Sequence, residues 1–164
     1  MPVTPTYSGI TQISKQVTSG LDYGFTYQWK VVSRNPCMQT PGPVQTFTVR
    51  DLPDLVVTNV IVPAAAFSGQ NITANFQVKN NGAGGTQSTQ WHDRLYLSTD
   101  ITLETDVDYF IGDFANVTSL NPGESYVQNV SFTLPQGISG YFYLIVYTDK
   151  GNTVQETDNN NKPE

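Results

Sequence analysis

The side chains best placed to do chemistry lie between Asp100 and Asp108. Asp100, Thr102, Glu104, Asp106 and Asp108 carry oxygen at every second position. Such a spacing could wrap a hard cation, because calcium takes about six to eight oxygen ligands in flexible geometry. No basic side chain occurs between Arg94 and Lys150, so these acids and Asp113 have no partner in sequence. Bound calcium would relieve their repulsion, and it is the one candidate cofactor. The loop is not an EF-hand: Thr105 stands where that motif needs glycine, and Ile111 where it needs a bidentate glutamate. The plainer alternative is a solvated acidic loop pinned to the body by Ile101, Leu103 and Val107.

Other candidates are weaker. Asp93 shares the apolar parity of Trp91 and Leu95, where a carboxylate needs hydrogen bonds or a cation. It is expected to bond loop amides at the strand entrance. The tail from Glu156 to Asn161 offers oxygens too, or is an Asn-rich solvated exit. Tyr141, Tyr143 and Tyr147 lie on one side of a strand and either pack in a core or stack sugar rings. The one histidine, His92, points away from Asp93, because neighbours on a strand face opposite sides. Cys37 sits in a proline-rich turn with no histidine nearby in sequence, and a single cysteine excludes an internal disulfide. No Cys/His metal spacing and no glycine-rich phosphate loop occurs, so an enzyme is not expected. Asn71-Ile72-Thr73, Asn116-Val117-Thr118 and Asn129-Val130-Ser131 are formal glycosylation acceptors, relevant only in a host with that machinery.

Strands must position these groups. Tyr, Phe, Val and Thr dominate, no sustained 3.6-residue apolar period occurs, and ten prolines with thirteen glycines punctuate the chain. Trp91 to Ser98 alternates with Trp91, Leu95 and Leu97 on one face. Further strands are predicted over 55–62, 71–79, 107–114, 125–134, 141–148 and 153–155, seven in all. Residues 141–148 are apolar on both faces and are expected to be central. Asn80-Asn81-Gly82 is read as a tight turn that needs positive φ. Earlier in the chain, 13–17, 25–34 and 44–49 read as strands, with Tyr27, Trp29 and Val31 on one face. Leu21, six residues before Tyr27, fits a tyrosine corner, in which the hydroxyl bonds back to the preceding backbone.

Charge divides the chain near Asp51. Residues 1–50 carry a net +3, and the remainder a net −9. An acidic body without a basic stripe argues against nucleic acid and against anionic membranes. The longest apolar run, Tyr141 to Tyr147, is too short to span a bilayer. Met1 to Pro5 has no basic or apolar leader, so an export signal is expected outside this piece.

The order of Asp54-Leu55-Val56-Val57, Lys79-Asn80-Asn81-Gly82, Trp91 to Ser98 and Glu156 to Asn161 resembles CARDB, the cell-adhesion-related domain found in bacteria. Tyr27 to Val31 and Val44 to Phe47 resemble the later strands of a fibronectin type III domain, although Asp22-Tyr23-Gly24 replaces the usual proline-glycine turn. The expected fold is all-β: an immunoglobulin-like seven-stranded β-sandwich at 51–164, preceded by a partial fibronectin type III-like sandwich at 1–50. These resemblances imply a non-catalytic structural or adhesion module of an extracellular bacterial multidomain protein, acting as spacer or protein-interaction domain. Its partners would be neighbouring domains of the same chain, other cell-surface proteins or glycans. The alternative is a carbohydrate-binding module that uses exposed aromatics and Asn/Gln side chains.

Overall fold

The computed structural model describes residues 7–10, 14–17, 20–116, 118–156 and 161. The chain divides into two compact units, Met1–Asp51 and Leu52–Glu164, and among the described residues every regular element is a strand.

In the first unit β1 (Thr26–Trp29) pairs antiparallel with β4 (Gln45–Thr48), and β2 (Val32–Arg34) with β3 (Gln39–Pro41). The long strand expected over 25–34 is therefore broken at Lys30-Val31. Residues 14–17 are not a strand, and Ile13 lies outside the described residues. Of the expected apolar face only Tyr27 is buried, while Trp29 is 51% and Val31 65% exposed. Two strand pairs supply too little surface to cover both sides of a sheet. The tyrosine corner does form: Tyr27 stacks on Phe47 with ring centroids 5.8 Å apart, and its hydroxyl accepts from the Asp22 amide at 2.7 Å.

The second unit has β5 (Leu55–Ile61), β6 (Asn71–Asn80), β7 (Trp91–Ser98), β8 (Tyr109–Asn116), β9 (Ser125–Thr133) and β10 (Tyr143–Tyr147). They form two antiparallel sheets, ordered β5-β6-β9 and β10-β7-β8. Alternation decides the packing. Ile72, Ala74, Phe76 and Val78 of β6 meet Trp91, Leu95 and Leu97 of β7, with Val130, Phe132 and Val146 closing the core. On β8 an extra residue, Ile111, interrupts the register opposite Leu95 and Tyr96.

Three expectations change. Among the described residues the sandwich has six strands, since 153–155 is not a strand. Val154 is nonetheless buried in the core. Next, β10 is an edge strand beside β7 and not central. Its two-sided apolarity reflects burial of Ile145 and Tyr147 on the face away from Val146. Finally, Gly82 does not need positive φ. A Cβ there would lie 2.5 Å from the Pro53 carbonyl carbon and 2.6 Å from the Asp54 nitrogen. Glycine is required because entering backbone crosses it.

Candidate functional site

The acidic loop is held by its own backbone. The Asp100 carboxylate accepts from the Thr102 amide at 2.7 Å, and that of Asp108 from the Glu104 amide at 2.8 Å. The Glu104 carbonyl accepts from the amides of Val107 and Asp108. These are the small turns that short oxygen-bearing side chains make with nearby N–H groups. Among the described residues no three His, Cys, Asp or Glu side chains gather as a metal group. Of the five candidate residues, Asp100 and Asp108 each have a carboxylate oxygen engaged on a loop amide. Ile101 and Val107, expected as pins, are exposed, and only Leu103 is half-buried. Asp113 does have a partner. Cross-strand register sets it opposite Arg94, which donates through Nε at 2.6 Å and Nη2 at 2.7 Å. This fork holds the Asp113 carboxyl below the usual carboxylate range. Sequence distance concealed the pair.

Asp93 is buried on the core side, as its parity requires. It is not confined to loop amides. One oxygen accepts from Thr148 Oγ1 at 2.6 Å, and the other from the hydroxyl of Tyr126. Trp91 Nε1 in turn donates to the Tyr126 hydroxyl at 3.2 Å. The network ties β7, β9 and the end of β10 across both sheets. Burial pushes the Asp93 carboxyl up despite these donors, which lower it, as does a backbone bond from Asp149. The Tyr126 phenol is pushed far up by burial and by the neighbouring carboxylate, so it remains a donor. His92 is exposed on the opposite face from Asp93.

Three further buried polar residues close the pole where the chain enters the unit. Asn80 Oδ1 accepts from the amides of Asp54 and Gly82, both at 3.0 Å. Its Nδ2 donates to the carbonyls of Gly84 and Leu120. Asp149, at φ 41°, caps the amides of Thr153 and Val154 at 2.9 and 2.8 Å. Glu156 accepts from the Leu55 amide at 2.5 Å and from the Asn161 side chain. Burial raises its carboxyl to about 7, against those two donors. The expected solvated exit is thus docked at both ends, with Glu156 7% and Asn161 3% exposed. Residues 157–160 of the tail lie outside the described residues, as does Val117 of one glycosylation triplet. Asn80 and Asp149 were not singled out for these roles. Asn80 is the last residue of β6 and continues its inward parity, a signal that could have found it.

The tyrosine row separates. Tyr147 is buried, Tyr143 is 48% exposed, and Tyr141, outside the strand, is 94% exposed. Core packing therefore accounts for Tyr147 alone.

A family model described as CARDB matches residues 52–163. The chain belongs to the CARDB family. As a cell-adhesion-related module, CARDB is consistent with a non-catalytic structural domain at the cell surface. Two solved structures are similar to the chain, both of the CARDB domain of a Pyrococcus furiosus protein. One is a crystal structure in complex with di-metal ions, 26% identical, covering 70% of this chain and 90% of that one, with a TM-score of 0.49. The other is a restrained solution NMR structure, 23% identical, covering 68% and 89%, with a TM-score of 0.48. No curated protein matches. Among the described residues no helix is long and apolar enough to cross a membrane.

Proposed function

We propose that the CARDB unit is a non-catalytic structural and protein-interaction module of an extracellular multidomain protein. One observation carries this reading. The buried carboxylates Asp93, Asp149 and Glu156 each accept hydrogen bonds from inside the unit, and His92 lies on the opposite face of β7 from Asp93. Buried groups satisfied in this way fix a fold; a catalytic acid or base must reach a substrate. Calcium at 100–108 is not needed for it. The first unit is read as later strands of a fibronectin type III-like domain, supported by the Tyr27–Asp22 corner. A broad hydrolase screen tests the main reading: turnover that disappears in His92→Ala would overturn it.

The exposure of Tyr141 and Tyr143 keeps one second reading, a carbohydrate-binding module. A glycan array separates the two. A structural module retains no glycan, whereas retention lost in Tyr141→Ala would establish sugar binding.

A further inference from the structure

One carboxyl ties the tail of the CARDB unit to its beginning. The amide of Leu55, the first residue of β5, donates to Glu156 Oε1 at 2.5 Å. The other Glu156 oxygen accepts from Asn161 Nδ2. Glu156 and Asn161 are both buried. The surroundings oppose a charge on this carboxyl. Asp54, just before β5, and Asp149, in the turn after β10, both repel it. Asp149 is itself buried and adjoins the buried Asp93 of β7. Asp158 and Lys162 of the tail lie outside the described residues. A proton, in contrast, fits the pair. With the Asn161 amide turned over, a protonated Oε2 donates to Asn161 Oδ1, a buried atom with no partner among the described residues. Oε1 still accepts from the Leu55 amide. The docked tail therefore keeps both contacts when Glu156 is neutral, whereas an ionised Glu156 holds a buried charge beside two acids.

We propose that Glu156 is a proton-operated latch: protonated, it holds the tail against Leu55, and on ionising it lets the tail leave. Val154, two residues earlier, is buried in the core, so the release begins beyond it. The direction follows from linkage. The docked carboxyl is raised from 4.5 to about 7, so docking is strongest below about pH 4.5. Between these values it weakens about tenfold per pH unit, and it levels off above about 7. Acidity thus closes the exit of the unit onto its entry, and neutral or alkaline pH frees it. The latch goes beyond the proposed function and does not depend on it. Its failure leaves the structural reading in place; only turnover in the hydrolase screen removes that.

The test is amide hydrogen exchange of the full chain from about pH 5 to about pH 8, with the intrinsic rate at each pH divided out. Between about pH 5 and pH 7 the protection of the Leu55 amide should fall about a hundredfold. The Phe76 amide, in the central strand β6, should remain the better protected at every pH, because the tail opens locally. Glu156→Gln cannot ionise and should hold Leu55 protection level across the range. Asp54→Asn removes one repelling charge and keeps the backbone bonds of residue 54 to Asn80 and Asn81. It should leave Leu55 better protected at pH 8 than in the unsubstituted chain. A level Leu55 profile in the unsubstituted chain would overturn the latch. So would equal protection of Leu55 and Phe76 falling together, which marks opening of the whole unit. An unaltered pH profile in Glu156→Gln would overturn the assignment to this carboxyl.

Discussion

At the scale of single residues, Asp93 and Glu156, which looked chemical, accept hydrogen bonds from inside the unit. Glu156 is the clearest case. Its folded carboxyl is raised to about 7 from 4.5, so between these values the native chain holds more protons than the unfolded one. Stability from this group is therefore greatest below about pH 4.5 and is lost as pH rises to about 7. Glu156→Gln should flatten that part of the profile in thermal melts across this range. Gln keeps an acceptor for the Leu55 amide, and with the Asn161 amide turned over its N–H can meet Asn161 Oδ1, a buried atom with no partner among the described residues. Glu156→Ala leaves the Leu55 amide and Asn161 unpaired and should cost about 1–3 kcal/mol. The Arg94–Asp113 pair is part-exposed, so a double-mutant cycle should give only about 0.2–1 kcal/mol, shrinking with salt. Asp93 was legible as a buried carboxylate from strand parity alone. Its partners were not, since Tyr126 is brought to it by β9 and Thr148 by the turn after β10.

At the scale of elements, alternation located the strands well and their neighbours poorly. The inward residues of β6, Ile72 to Val78, read directly from a period of two. The position of β10 did not, because apolarity on both faces marks burial and says nothing of which strands pair. Gly82 shows the same limit: sequence located a loop, but only the crossing at Pro53 explains the glycine. Gly82→Ala should cost about 1–3 kcal/mol in denaturant melts, because the atoms in the way belong to the backbone of Leu52, Pro53 and Asp54 and cannot rotate aside. The loop over 100–108 gives a further expectation. With Asp100 and Asp108 engaged on amides, calcium and magnesium should raise the melting temperature slightly and equally, by an amount that fades with added salt. A calcium-specific rise that Asp106→Asn abolishes would show that the loop rearranges into a metal site.

At the scale of the whole molecule, division near Asp51 was visible in the charge asymmetry, and the all-β class in composition and punctuation. The seventh strand was not foreseeable as absent. Turn residues and Val154 suggest one, yet Asp149 caps the amides that would have entered a ladder. Residues 51–164 should fold alone, because β5 to β10 bury a common core. Residues 1–50 alone should show no cooperative melt, with too little apolar surface covered. Asp93 ties the two sheets together through Tyr126 and Thr148. The most direct measurement is thermal unfolding of the full chain against Asp93→Ala. Removing this carboxylate leaves the hydroxyls of Tyr126 and Thr148 without it in the core, at about 1–3 kcal/mol each. The melting temperature of the CARDB unit should fall by roughly 8 °C or more. An unchanged or higher melting temperature would contradict the account, since that is how a residue kept for function at the expense of stability behaves.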